Sequence, residues 1–209
     1  MSGSMSQADL ITDLKSSLND AANVFAAAND ADFIRHLDHA AQDFRRVRPR
    51  VLSSSVTLVA DQDSYDAPAD ALDEHSMQWG KNKKRDLKPW DAQWPGALPR
   101  ISIAGDPSAR QLFFSPAPSQ HQINVLGSVC AFRYFAAHKI DAIAANTTIK
   151  PENRALLLLR AQAEAAKEMS SRNMHKPVSM RDGISGGRMT GTPTALFKQL
   201  MDMFEAQAK

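Results

Sequence analysis

The stretch Ser55-Val56-Thr57-Leu58-Val59-Ala60 is where the hydrophobic period of the chain changes. Upstream, apolar residues recur every three or four positions. Here Val56, Leu58 and Ala60 alternate with Ser55, Thr57 and Val59, the period of a strand. A helical start followed by strands, then more helices, makes the fold class α+β rather than all-helical. Asp61, Gln62 and Asp63 read as a turn, and Ser64 to Ala67 as the returning strand, stopped by Pro68. A short antiparallel β-hairpin is therefore predicted.

Working back from this point, Phe33, Leu37, Ala40, Phe44 and Val47 share one helical face, with Asn29, Asp30 and Asp32 as capping residues and Pro49 as the stop. Before them, Leu10, Leu14, Leu18, Ala21, Ala22 and Phe25 predict an amphipathic helix from about Ala8 to Ala28. The short link makes the two an antiparallel or crossed pair.

Working forward, residues 69–99 hold all three tryptophans (Trp79, Trp90 and Trp94), a basic run, and Pro89, Pro95 and Pro99. They read as an ordered loop excursion pinned by tryptophan burial. Arg100 to Ala104 and Arg110 to Ser115 flank Gly105-Asp106-Pro107-Ser108, which predicts a second hairpin. Gln122 to Phe135 reads either as a long strand bent at Gly127 or, the favoured reading, as entry into a helix from roughly Leu126 to Asp141. Pro151 and Glu152 open a further helix that runs to about Arg172. Its Leu156-Leu157-Leu158-Leu159 girdle belongs in a core or between subunits. After a glycine-rich stretch, Thr192-Pro193 opens a last helix. The expected molecule is mainly a helical bundle of four to five helices with two short hairpins. Residues 1–7 form an unstructured leader and 8–176 the core, 177–191 are a flexible loop, and 192–209 are the C-terminal helix.

With 209 residues, 43% of them hydrophobic and one cysteine, the chain has ample material for a core and none for a disulfide framework. No apolar run approaches the roughly 20 residues that span a bilayer, and a secretory signal pattern is absent. The net charge of +2 hides opposed blocks. Met1 to Asp32 has five aspartates against one lysine; Arg35 to Arg50 has five arginines against two aspartates. Asp61 to Glu74 has six acids and no base; Lys81 to Lys88 has five bases and one acid. Such blocks are either solvated faces or matched surfaces for copies and partners.

Catalysis finds no foothold. Cys130 sits among apolar residues, no serine lies in a Gly-x-Ser-x-Gly elbow, and His36 and His39 lack a third ligand. Neither a metal nor a cofactor is implied. Gly183, Gly186, Gly187 and Gly191 lack the Lys-Ser/Thr ending of a phosphate loop and read as a connector. Lys81, Lys83, Lys84 and Arg85, with Arg45, Arg46, Arg48 and Arg50, leave non-specific contact with a DNA backbone open.

The order of motifs resembles a family. The helix pair, Ser55 to Ala60, then Gln62-Asp63-Ser64-Tyr65-Asp66-Ala67-Pro68-Ala69-Asp70, and later Leu112-Phe113-Phe114-Ser115-Pro116-Ala117-Pro118, look like the head-to-tail connector (adaptor, head completion) proteins of tailed bacteriophages. The region around Tyr134 and Ala136-Ala137-His138, and the helix from Leu156 to Met169, fit the same plan. The chain departs from it where Ala71-Leu72 replaces an aromatic after Pro-x-Asp, and where the tryptophan-rich excursion reads as an insertion. The resemblance implies a structural virion protein at the head-tail junction, made in the host cytoplasm. It would form a homo-oligomeric, dodecameric ring beneath the portal protein, extend the DNA channel, contact the passing genome without sequence preference, and dock a stopper or tail protein. The last helix, through Leu196, Phe197, Leu200, Met203 and Phe204, would contact the portal or a neighbour. Lys81, Lys83, Lys84 and Arg85 would line a charged interface or the channel. The alternative is a small nucleic-acid-binding or regulatory phage protein.

Overall fold

The computed structural model describes residues 4–25, 27–106, 109–173 and 192–208. The glycine-rich connector expected at 177–191 lies outside them, as do the first three residues of the leader. The chain divides into two compact units: Met1–Arg48 with His138–Lys209, and Pro49–Ala137.

The first unit is helical. Helix α1 (Gln7–Leu18) starts where the Ser6 side chain accepts the Asp9 N–H, and it buries Leu10, Ile11 and Leu14. Met5, within the expected leader, is itself buried in the core. The α-helix expected to run to Ala28 stops at Leu18. Asn19 takes a left-handed φ of 49°, and 3-10 turns follow over Asn19–Val24 and Ala28–Asp30. Helix α2 (Ala31–Val47) buries Phe33, Leu37, Ala40, Ala41 and Phe44, and ends at Arg48 before Pro49 as predicted.

The β unit does not contain the first predicted hairpin. Strand β1 (Arg50–Thr57) pairs instead with a distant strand, β6, in unbroken antiparallel register from Arg50↔Ala136 to Thr57↔Val129. Strand β2 (Ser64–Asp66) pairs with β5 in a second sheet. The intervening turn is real, but it carries the chain from one sheet to the other. Asp61 takes φ 62°, and the Tyr65 hydroxyl accepts the Val59 N–H at 2.9 Å. That hydroxyl also lies 3.1 and 3.2 Å from the Val59 and Gln62 carbonyl oxygens.

Residues 69–99 are not all loop. Strand β3 (Ala71–Met77) occupies the other edge of β6, with register shifts between Ala71 and Asp73 and between Glu74 and Ser76. Helix α3 (Lys81–Asp86) follows. The hairpin expected at 100–115 forms, as β4 (Arg100–Ala104) and β5 (Gln111–Ser115). Helix α4 (Gln120–Leu126) is closed by a capping box in which Ser119 and Gln122 bond each other's backbone N–H.

The helix favoured over 126–141 is not formed. Gly127, at φ 91°, ends α4, and Val129–Ala136 is strand β6, central in the sheet order β1-β6-β3. Its burial alternates: Cys130, Phe132, Tyr134 and Ala136 face the core while Val129, Ala131 and Arg133 are exposed. Pairing on both edges decides a segment whose alanines and aromatics suit either state. The unit's core joins these residues to Trp79, Ile101, Leu112 and Phe114. Cys130 is fully buried, and burial pushes its thiol up to about 12.

The helical unit is completed by α5 (Arg154–Asn173), behind a 3-10 turn at Pro151–Asn153, and α6 (Pro193–Ala208). The leucine girdle of α5 lies in this core: Leu157 is fully buried and Leu156 and Leu159 nearly so, with α1, α2 and α6 packed around the helix. The architecture is α+β, as expected. Six α-helices and two three-stranded antiparallel sheets stand among the described residues.

Candidate functional site

The polar groups of the helical unit are largely turned on one another. Between α2 and α5, the buried Asp32 carboxylate accepts from Arg35 at 2.8 Å and Arg172 at 3.1 Å. Glu168 accepts from the same two arginines at 2.6 and 2.5 Å and lies 2.7 Å from His36 Nε2. Burial would raise Glu168, but the hydrogen bonds from Arg35, His36 and Arg172 outweigh it and hold the carboxyl at about 2. Burial pushes His36 below the ordinary imidazole range, against the opposing pull of Glu168. Further along the same helices, Arg160 bridges Asp43 at 2.7 Å and Glu164 at 2.5 Å, and Arg154 reaches Asp13 at 2.5 Å. The two histidines weighed as ligands fall to separate acids: His39 Nδ1 is 4.0 Å from Glu164. No group of three or more His, Cys, Asp or Glu is placed to hold a metal among the described residues.

The five residues expected on the contact face of the last helix do not share a face. Phe204 is fully buried, its ring 6.4 Å from that of Phe44, and Phe197 and Leu200 pack on the same core. Leu196 and Met203, seven positions apart, look outward at 40% and 42% exposure. Arg46 to Glu205 at 3.3 Å, Arg48 to the Ala208 carbonyl at 2.6 Å and the Ser170–Thr194 hydroxyl pair at 2.6 Å hold α6 to α2 and α5.

The basic run lies on α3 and the turn after it. Lys81, Lys83 and Arg85 are exposed and Lys84 is half-buried. Lys83 donates to the Val125 carbonyl at 2.8 Å, Lys84 sits 5.3 Å from the centre of the Trp94 ring, and Arg85 pairs with its neighbour Asp86 at 3.3 Å. The excursion is pinned by α4 as much as by tryptophan. Buried Gln122 donates to the carbonyls of Pro95 and Ala97 at 3.0 and 2.7 Å, and His121 bonds the Trp94 carbonyl. Of the tryptophans only Trp79 is fully committed, donating its indole N–H to Gly127 at 2.9 Å. Trp90 is 81% exposed. It occupies the third position of a turn that starts at Lys88, has Pro89 second, and is closed by Asp91, whose N–H bonds the Lys88 carbonyl and whose carboxylate accepts the Lys88 N–H. Gln122 was missed from the sequence, although Ser119-x-x-Gln122 carries the capping-box signature.

The helical unit pairs most of its acids with its own cations, whereas the β unit leaves most of its charges unpaired and a tryptophan exposed. Residues 5–181 match the SU10 adaptor protein family, and the chain belongs to that family of phage head-tail adaptors. It is thus a structural adaptor of a phage virion, and α6 lies beyond the matched residues. No curated protein matches the chain. No described helix is long and apolar enough to cross a membrane.

Proposed function

We propose that this adaptor assembles as a homo-oligomeric ring beneath the portal protein, extends the DNA channel, and presents a docking surface to the next stopper or tail component. Membership of the adaptor family over residues 5–181 carries the reading. The division of labour between the units supports it, because unpaired charges and exposed aromatic area suit contact between subunits. Contact with the portal runs through the outward stripe of α6, Leu196 and Met203, since Phe204, Phe197 and Leu200 serve the chain's own core. Deleting the whole helix would remove a buried phenylalanine and unfold the unit, so it cannot test this contact. The Leu196→Asp/Met203→Asp double variant can. The expected outcome is a folded monomer by circular dichroism that no longer forms rings on its portal in negative-stain images. A folded variant that still loads onto the portal refutes the α6 contact; a wild type that never forms rings with the portal refutes the whole reading.

One observation favours a second reading, a nucleic-acid-binding protein: Trp90 stands exposed directly after the cations of 81–88. An aromatic ring among lysines can stack on bases. DNA affinity of the free protein that falls steeply with salt would support it.

A further inference from the structure

The β unit carries nine Lys and Arg against nine Asp and Glu, so its formal charge is zero. Copies of it do not repel one another through net charge, yet the two signs are sorted onto different elements. Cations gather on α3 and its turn: Lys81, Lys83, Lys84, Arg85 and Lys88. Acids gather on the turn into β2 and on that edge strand: Asp61, Asp63 and Asp66, all exposed. Among the described residues none of these three acids is in an ion pair, and of the five cations only Arg85 is, with its neighbour Asp86. Among the described residues no ion pair joins the two groups within one chain.

Each group also has an apolar centre. Among the cations it is Trp90, held out by the Pro89 turn. Beside the acids it is Val59, 55% exposed and two residues before Asp61, with Val129, 62% exposed, paired opposite Thr57. Tyr65 fixes this second site by bonding Val59 and Gln62. An aromatic anchor rimmed by cations matches an apolar seat rimmed by carboxylates, the pattern of an interface core with a charged rim.

We propose that Trp90 of one copy seats on Val59 of the next, with the α3 cations facing Asp61, Asp63 and Asp66. This contact rests on the ring reading and supplies its subunit interface. A protein partner is favoured over DNA for three reasons. Lys83 and Lys84 are already tethered to Val125 and Trp94, Asp86 and Asp91 interrupt the basic patch, and a complementary acidic surface lies on the same unit.

The experiment uses the full chain, alone and with its portal, by mass photometry and tryptophan emission. Lys81→Glu/Arg85→Glu/Lys88→Glu gives a chain with two acidic surfaces, and Asp61→Lys/Asp63→Lys/Asp66→Lys one with two basic surfaces. Neither is expected to assemble alone; an equimolar mixture is expected to assemble. Trp90→Ala is expected to raise the concentration needed for assembly at least tenfold, and wild-type emission to shift to the blue on assembly. Folded variants that assemble alone as well as wild type, or a mixture that stays monomeric, overturn the contact. So does loss of DNA retention with assembly intact in the Lys81/Arg85/Lys88 variant, which would assign the surface to nucleic acid. Assembly that stops at a dimer, yet fails with Trp90→Ala and returns in the mixture, overturns the ring and upholds the contact.

Discussion

The helical unit and the β unit treat charge in opposite ways. In the first, Asp32, Glu168, Arg35 and Arg172 close on one another, and so do Arg160, Asp43 and Glu164. In the second, only Arg50–Asp70 and Arg85–Asp86 pair among the described residues, while Trp90 and three valines, Val51, Val59 and Val129, remain exposed. Internal ion pairs fix the packing of helices whose faces are otherwise apolar and permissive. Unpaired charges leave binding energy available to another molecule. The helical unit uses its charges to hold its own shape and turns the Leu196 and Met203 stripe outward, whereas the β unit leaves most of its charges for another molecule to recognise.

The sharpest way to break this comparison is to damage what holds the helical unit. Phe204→Ala, at a fully buried site beside Phe44, is expected to cost about 3–5 kcal/mol, read as a fall in the denaturant midpoint. Glu168→Gln takes from Arg35 and Arg172 one of the two acids they share, leaving only Asp32, and is expected to cost about 1–3 kcal/mol, discounted because Glu168 keeps 22% of its side-chain exposure. In the β unit, Gln122→Ala removes one buried and one half-buried hydrogen bond to the excursion and is expected to cost about 1–2 kcal/mol, with a change in Trp94 emission.

Acid should act on the helical unit in two stages. His36 has a folded pKa below its unfolded value, so its stabilising contribution is complete above about 6.5 and is lost as pH falls below that. Glu168 is likewise depressed; its contribution is complete above an ordinary glutamate value and is lost as pH falls towards about 2. Thermal melts from pH 7 to pH 3 should show a falling midpoint, and His36→Gln should flatten the upper part of the decline. Smallest of all, Lys81→Glu and Trp90→Ala are expected to move stability by less than about 0.5 kcal/mol, because both side chains are exposed.

Local signals were legible in the sequence where they coincide with tertiary demand. Pro49 stops α2, Pro151 opens the turn that leads into α5, and Gly105 marks the β4–β5 hairpin. What sequence periodicity cannot show is which strand pairs with which. Ser64–Asp66 follows β1 after a turn and looks like its partner, yet β1 takes β6, more than 70 residues away, because the turn at Asp61 changes sheets. The same long-range pairing makes 129–136 a strand against its alanine content. The site was legible in part. The basic run and its tryptophans stood out, but the separation of buried Trp79 from exposed Trp90 depends on Gly127 and Pro89, and the splitting of the α6 stripe depends on where Phe44 lies.

The thiol of Cys130 has a practical consequence. It is the chain's one cysteine, lies at the start of the central strand's core face, and is held at about 12 by burial. A reagent in solution reaches it only during the moments when the sheet opens. Its rate of alkylation therefore serves as a clock for opening of the β unit, and comparing free chains with assembled ones would time how firmly neighbours hold that sheet shut.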